Sequence, residues 1–124
     1  MERVATRDIW RRLRVKGALE QPIESLSGGN QQKVFLGRWL VKGSRLLILD
    51  EPTAGIDVGA RAEFHELLRG LAADGVSVVM ASAEPEEIAL VCHRVVVLVE
   101  GAIVHELQQP LAPEDVVAAS YLGR

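Results

Sequence analysis

The chain has 124 residues, of which 48% are hydrophobic and 25% charged, and its formal net charge is −3. These values are ordinary for a globular protein, exclude global disorder and allow one domain at most. The slightly acidic balance argues against sequence-independent binding to nucleic acid. A single cysteine excludes an internal disulfide framework, and no apolar run approaches the roughly 20 residues that span a bilayer. We therefore expect a soluble domain of a reducing compartment.

The first predicted element is a short helix over about 6–15. Thr6 and Asp8 favour a helix start, and Ile9 and Leu13 then lie on one side. Six of the 14 basic residues lie within the first 16 positions. We interpret them as a solvated helix face, with an anion-binding patch as the alternative.

A loop over 16–26 leads to Ser27, which can cap a helix predicted over about 28–41. Gly43 is typical of the residue after a helix end. The predicted apolar stripe of this helix consists of Phe35, Leu36, Trp39 and Leu40.

The middle of the chain predicts strand, helix and strand in turn. The apolar run over 45–49 indicates a strand covered on both faces, and a second buried strand is predicted over 76–81. Between them, Asp57 can cap a helix over about 58–73. The residues of this helix expected to face inward are Phe64, Leu67, Leu68 and Leu71.

The last part of the chain predicts a short helix, a hairpin and a final helix. Ser82 is expected to open the first helix, and two strands over 94–99 and 102–107 form a hairpin around a two-residue turn. The final helix is predicted over about 114–122. Strands alternating with helices indicate an α/β fold with a mainly parallel sheet.

The run Leu26-Ser27-Gly28-Gly29 places two glycines beside a serine at a predicted helix start. Without side chains to shield them, the backbone N–H groups there point at one spot, and the helix dipole adds partial positive charge. Phosphate is the common anion at such a site. Taken alone, the triplet is better explained as a serine cap after a flexible loop.

Two adjacent carboxylates, Asp50 and Glu51, follow the first predicted strand. At the carboxyl end of a parallel strand, side chains emerge where ligands bind in open α/β sheets. Asp50 is suited to hold hydrated Mg²⁺, and Glu51 to orient or deprotonate an attacking water. A strand that ends in a polar turn at Pro52 explains the same residues without a ligand.

The spacing of these two stretches makes a chance match improbable. Asp50 follows Leu26 by 24 residues with one helix between them, and a Gly-x-Asp loop comes next. In this order the segments resemble the nucleotide-binding domain of ATP-binding cassette (ABC) transporters. The longer stretches 21–34 and 50–61 are similar to the second cassette of sugar importers of the ribose and galactoside type. The matching segments are Leu26–Gln32 (signature motif), Leu46–Glu51 (Walker B strand) and Ala54–Asp57 (D-loop).

The resemblance implies a role for the residues of each motif. Asp50 would bind Mg²⁺ and Glu51 would be catalytic, both serving ATP on the P-loop of the same cassette. Asp57 would cross the interface of a head-to-tail dimer, in which the signature motif completes the ATP site of a second cassette. The nucleotide-binding residues expected on this basis are Ser27, Gly28, Gly29, Asn30, Gln31 and Asp57.

The resemblance also implies architecture and partners. Residues 1–43 would be the end of the helical subdomain with the signature helix, and residues 44–124 the remainder of a single cassette. The fold is expected to be a partial P-loop NTPase layer, mainly parallel, with a carboxyl-terminal β-hairpin and helix. The expected partners are a second cassette, an integral-membrane permease and, indirectly, a substrate-binding protein, but no nucleic acid. The expected location is cytoplasmic, on the inner face of the cell membrane.

Two features depart from the family pattern. The phosphate-cradling Gly-x-x-x-x-Gly-Lys loop is absent, because none of the three lysines follows a glycine. Ala83 occupies the place of the family's switch histidine. The histidines at positions 65 and 105 are expected at the surface.

The missing loop limits how tightly the chain alone can bind ATP. A helix N-terminus contributes about 0.3–1 kcal/mol to anion binding, whereas micromolar affinity requires about 8 kcal/mol. We therefore expect weak or undetectable ATP binding by the chain alone.

The favoured interpretation is an ATP-hydrolysing subunit of a sugar-type ABC importer, of which the chain is the carboxyl-terminal half of a cassette. An inactive truncated or split-gene remnant is the alternative. An ABC-like ATPase of DNA repair or chromosome maintenance is disfavoured, because such proteins lack the run from Asp50 to Val58. Open sheet edges predict that the isolated chain self-associates or is marginally stable.

Overall fold

A computed structural model describes residues 2–122 of the chain. These residues divide into two compact units, one ending at Ala81 and the other beginning at Ser82. Within this range no helix is long and apolar enough to cross a membrane. The elements in chain order are α1 (Glu2–Arg12), a 3₁₀ turn (Ile23–Ser25), α2 (Gly28–Val41), β1 (Leu46–Asp50), α3 (Val58–Ala73), β2 (Ser77–Ala81), α4 (Pro85–Val91), β3 (Arg94–Val99), β4 (Ala102–Gln108) and α5 (Pro113–Leu122).

The two longest helices begin where the sequence predicts. Helix α2 follows Ser27, whose side chain accepts a hydrogen bond from the N–H of Asn30. Helix α3 follows Asp57, which accepts one from the N–H of Ala60. Each cap satisfies an amide that helix geometry leaves without an intrahelical partner, so short-range chemistry fixes both starts.

Helix α1 lies earlier in the chain than predicted. It ends at Arg12 rather than near residue 15, because Arg14 adopts a left-handed conformation with φ of 51°, which is typical just after a helix end. The basic side chains of this region are exposed, as expected for a solvated helix face. They are Arg3, Arg7, Arg11, Arg12, Arg14 and Lys16.

Strands β1 and β2 form a parallel two-stranded sheet in which Leu46 lies opposite Ser77. Leu47 is buried at 3% exposure, whereas Ile48 is 75% exposed and Val79 is 55% exposed. The prediction that both strands are covered on both faces is therefore wrong for the described residues. Side chains alternate between the faces of a strand, and only one face of this sheet is packed within the first unit.

Among the described elements of the first unit, helix α3 supplies the largest number of buried hydrophobic side chains. Phe64, Leu68 and Leu71 are buried as predicted, and Leu67 is half-buried. His65, predicted at the surface, is 4% exposed. Its position three residues before Leu68 places it on the same buried side of the helix.

Helix α2 buries only part of the predicted apolar stripe, in which Leu36 is 3% exposed, as predicted. Phe35 and Trp39 are 47% and 53% exposed, so their place in an apolar core stripe is wrong for the described residues. A Cβ on Gly37 would lie 3.0 Å from Leu13, so the small residue lets α1 pack closely on this side. The ammonium of Lys42 lies over the exposed ring of Trp39, 5.2 Å from its centre. The buried residues of α2 are Gly29, Lys33, Leu36 and Gly37.

In the second unit, β3 and β4 form the predicted antiparallel hairpin. Glu100 and Gly101 both have positive φ, 49° and 81°, as a type I′ turn requires. Helix α4 begins at Pro85 rather than at Ser82. The hydroxyl of Ser82 donates a 2.5 Å hydrogen bond to Glu87, and proline is favoured in the first turn of a helix.

Candidate functional site

The serine and the two glycines that precede and begin α2 lie at the edge of the first unit. Ser27 and Gly28 are exposed, and a Cβ on Gly28 would meet nothing within 4 Å among the described residues. Gly29 is buried, and a Cβ there would lie 2.8 Å from the Cβ of Ala60. Gly28 therefore leaves the amide edge open, whereas Gly29 allows the start of α2 to pack against α3.

This packing places two helix starts beside each other. Gly29 lies against Ile56 and Ala60, just before and within the first turn of α3. The Asp57 carboxylate caps α3, with Oδ1 3.0 Å from the N–H nitrogen of Ala60, and the residue is exposed. The start of α2 carries partial positive charge and has a neutral serine as its cap, so the exposed edge at Ser27 and Gly28 is suited to an anion. At the start of α3 the Asp57 carboxylate offsets the corresponding charge.

The next two residues of α2 have amide side chains that bond within the chain. Asn30 donates from Nδ2 to the hydroxyl of Ser27 at 2.8 Å and accepts from the backbone N–H of Lys16 at 2.9 Å. Gln31 donates from Nε2 to the carbonyl of Leu26 at 2.9 Å. These contacts fix the chain leading into α2, so Ser27 and Gly28 form the open part of the edge.

The two carboxylates at the end of β1 are both exposed but sit on different backbone conformations. Asp50 is the last strand residue, opposite Ala81. Glu51 donates its backbone N–H to the carbonyl of Ala81 at 2.8 Å and has φ of 46°. This left-handed conformation costs a residue with a side chain about 1–2 kcal/mol, and such strain clusters at functional sites.

The loop that follows is anchored by burial. Pro52 and Thr53 are buried, the N–H of Ala54 donates to the carbonyl of Glu51 at 3.2 Å, and that of Ile56 donates to Thr53 at 3.1 Å. The loop therefore carries the chain from the acid pair to the cap of α3 along a fixed path.

The carboxylate oxygens at the end of β1 are suited to a magnesium ion that also binds a phosphate group. Mg²⁺ takes one or two protein carboxylates and completes its shell with water and substrate phosphates. Asp50 supplies such an oxygen at an exposed strand end. Within residues 2–122, no three His, Cys, Asp or Glu side chains group as a metal site.

Sequence reasoning missed an ion cluster behind this edge. The Lys33 side chain, 5% exposed, donates from Nζ to Glu63 at 3.1 Å and to the carbonyl of Arg14 at 3.3 Å. Lys16 binds the other carboxylate oxygen of Glu63 at 3.2 Å. The hydrogen bonds from Lys33 and then from Lys16 hold the pKa of Glu63 below its ordinary value. Helical spacing from Gly29 could have placed Lys33 on the buried face.

Comparisons with known proteins agree with these motifs. A family profile described as "ABC transporter" matches residues 2–54. The chain is 48% identical to a ribose import ATP-binding protein of Streptomyces avermitilis, over 99% of this chain and 25% of that protein. It is 52% identical to a putative ribose/galactose/methyl galactoside import ATP-binding protein of Rhizobium meliloti, over 80% of this chain and 20% of that protein. The chain thus spans a quarter or less of the length of these relatives.

Solved structures show the same fold. An ATP-binding cassette of an ABC transporter in its ADP conformation matches with a TM-score of 0.85 at 21% identity, over 99% of this chain and 50% of that one. Part of an ABC transporter complex from Clostridium perfringens matches with a TM-score of 0.78 at 28% identity, over 94% of this chain and 45% of that one. The architecture is that of part of a P-loop NTPase cassette, as predicted. The chain belongs to the ABC transporter ATP-binding family.

Proposed function

We propose that this chain is part of the ATP-binding subunit of a sugar-type ABC importer, and that its exposed edge at Ser27 and Gly28 completes an ATP site held by a second cassette. The observation that carries the proposal is the contrast between the two glycines. Gly29 is used in packing, whereas Gly28 leaves open space beside two helix starts. The sugar importers named among the relatives supply the substrate class.

The energetics indicate that this edge completes a site rather than forming one. A helix start contributes about 0.3–1 kcal/mol to a nearby anion, and about 2 kcal/mol when partly buried. Micromolar affinity requires about 8 kcal/mol. A phosphate-cradling loop outside this chain must therefore provide most of the nucleotide binding, and Ser27 and Gly28 add contacts to a nucleotide already held.

The acid pair serves a different nucleotide in this proposal, the one bound on the chain's own cassette. Bound Mg²⁺ would neutralise phosphate charge, and Asp50 would hold it through a carboxylate oxygen. Glu51 would orient a water and accept its proton. Asp57, fixed as the cap of α3, would face the second cassette.

The proposal extends to the surroundings of the chain. Residues 1–43 would belong to the helical subdomain, which contacts the permease, and residues 44–124 to the rest of the cassette. Sugar would reach the permease from a substrate-binding protein. The assembly would lie on the cytoplasmic face of the cell membrane.

The test uses the Streptomyces avermitilis relative with its matching quarter replaced by this chain. Glu51→Gln is expected to slow single-turnover hydrolysis at the site of that cassette by about 10²- to 10⁴-fold, the usual contribution of a general base. Glu66→Gln, which removes an exposed carboxylate from α3, is the matched control and should hydrolyse ATP normally. Unchanged turnover in Glu51→Gln would contradict the proposal and favour an inactive remnant.

The exposed edge is tested separately by Gly28→Glu in the same protein. The new side chain has room, so folding should be preserved, but its charge would repel a phosphate. We expect normal ATP binding to the variant cassette and slower hydrolysis at the partner site. If the partner site of the variant hydrolyses ATP as fast as that of the unmodified protein, the assignment of this edge is refuted.

A further inference from the structure

The hydrogen bonds around the hydroxyl of Ser27 determine what that hydroxyl can do. A serine hydroxyl has one hydrogen to donate and two positions at which it accepts. The side-chain NH₂ of Asn30 donates to it at 2.8 Å, and the backbone N–H of the same residue donates at 3.4 Å. With both accepting positions used, the hydroxyl hydrogen remains for an acceptor outside the chain, and Ser27 is exposed.

The orientation of the Asn30 amide is settled by a third group. The backbone N–H of Lys16 lies 2.9 Å from Oδ1 of Asn30. A backbone N–H can only donate, so the atom facing it must be the amide oxygen. The NH₂ group must then face Ser27, and a flipped amide would place two donors against each other.

An ion pair with Glu63 of α3 holds Lys16 in place. Its own ammonium bonds to Glu63, and the second oxygen of that carboxylate is bonded by the buried ammonium of Lys33. The next residue, Gly17, lies so close to Leu26 that a Cβ would be 2.6 Å from Cδ2 of the leucine. The backbone donor that orients Asn30 is therefore attached to the core of the first unit.

We propose that Asn30 is a positioning residue that keeps the hydroxyl hydrogen of Ser27 turned outward, as a donor to a phosphate oxygen of the nucleotide on the second cassette. This inference rests on the proposed function and deepens it. Asn30 acts through Ser27, since both ends of its own amide are engaged within the chain. The ion cluster of Lys16, Lys33 and Glu63 is the support on which this amide depends.

The test compares two substitutions of Asn30 in the chimeric transporter protein described above. Asn30→Asp keeps the oxygen that accepts from Lys16 but turns the donor to Ser27 into an acceptor, so the serine hydrogen rotates inward. Asn30→Ala removes both bonds and leaves the serine hydroxyl free to rotate. We expect the aspartate variant to hydrolyse ATP at the partner site about tenfold or more slowly than the alanine variant.

A purely structural role for Asn30 predicts the opposite order, because aspartate preserves more of the native contacts. Observing alanine as the slower variant would overturn the inference. Arg38→Gln lowers the charge of α2 by the same one unit at an exposed residue in its last turn, outside the motif, and is expected to leave hydrolysis unchanged. A loss in Arg38→Gln equal to that in Asn30→Asp would show that charge alone is responsible, which also overturns it.

A double-mutant cycle separates this inference from the proposed function. In a Ser27→Ala background, Asn30→Asp should have no further effect on hydrolysis, because the hydroxyl through which it acts is gone. Additive losses would overturn the positioning role alone. A Ser27→Ala variant that hydrolyses ATP normally at the partner site would overturn the proposed function itself.

A second measurement needs no nucleotide. Asn30 is the only asparagine in the sequence, so asparagine-selective ¹⁵N labelling gives a single side-chain amide signal pair. We expect slowed hydrogen exchange of one amide hydrogen, preserved in Ser27→Thr, which keeps the hydroxyl, and lost in Ser27→Ala. Equal exchange rates in the threonine and alanine variants would overturn the inference.

Discussion

Replacing Gly29 with alanine tests the contact that brings the start of α2 against α3. The new Cβ would lie 2.8 Å from the Cβ of Ala60 and 3.6 Å from Cγ2 of Ile56. Carbon atoms pack at about 3.5–4.0 Å, so one helix start must move. Overpacking of this kind typically destabilises a protein by about 1–3 kcal/mol.

The neighbouring glycine provides a matched control. Gly28→Ala makes the same chemical change one residue earlier, where a Cβ has open space among the described residues. Both variants gain helix propensity, which is worth up to about 1 kcal/mol relative to glycine. The difference between them therefore isolates the steric effect of Gly29, which we expect to be about 1–3 kcal/mol.

Urea unfolding followed by tryptophan fluorescence measures this difference. Both tryptophans of the chain, Trp10 and Trp39, lie in the first unit, so the signal reports the unit that contains the contact. Gly28→Ala should unfold at the same or a higher urea concentration than the unmodified chain, and Gly29→Ala at a lower one. If the two variants unfold at the same midpoint, the close approach of α2 and α3 at this residue is refuted.

Three further predictions concern single side chains of the first unit. Glu51→Gly should raise the free energy of unfolding by about 0.5–1 kcal/mol by relieving the left-handed φ, and Glu51→Ala should not; equal values would argue against strain. Asp57→Ala should lower it by about 1 kcal/mol through loss of the cap on α3, with most of the loss restored in Asp57→Ser; equal stability of all three proteins would contradict a cap. The lowered pKa of Glu63 stabilises the fold above the ordinary titration range of a glutamate, and this contribution disappears as the pH falls through the lowered value. The stability difference between the unmodified chain and Glu63→Gln, measured in urea, should therefore shrink in acid, and a growing difference would contradict the ion cluster.

The features that the sequence predicts well depend on short-range chemistry. Ser27 and Asp57 cap their helices by accepting from N–H groups three residues further along the chain. The starts of α2 and α3 could therefore be predicted from neighbouring residues alone. The turn at Glu100 and Gly101 requires only that both residues adopt positive φ. The order and spacing of the motifs likewise identified the family.

The features that the sequence did not predict depend on contacts between residues that are far apart in the chain. Lys33 is buried because its charge is neutralised by Glu63, which lies thirty residues later in the chain. The sequence of α2 alone does not predict this ion pair. The packing face of α2 was therefore predicted only in part, since Leu36 is buried as predicted but Phe35 and Trp39 are exposed. Gly28 and Gly29 look equivalent in the sequence, and only the position of Ala60 gives them different roles.

At the end of β1, the order of the two acids runs against their conformational preferences. Aspartate adopts the left-handed region more readily than glutamate, yet the chain has Asp50 in the extended strand and Glu51 in the left-handed turn. Conformational preference alone favours the reverse order. Exchanging the two acids would ease the backbone but move each carboxyl group along its side chain by about one carbon–carbon bond, roughly 1.5 Å. In the proposed function, Glu51 would use its longer side chain to orient the attacking water, which would account for the order in which the two acids occur.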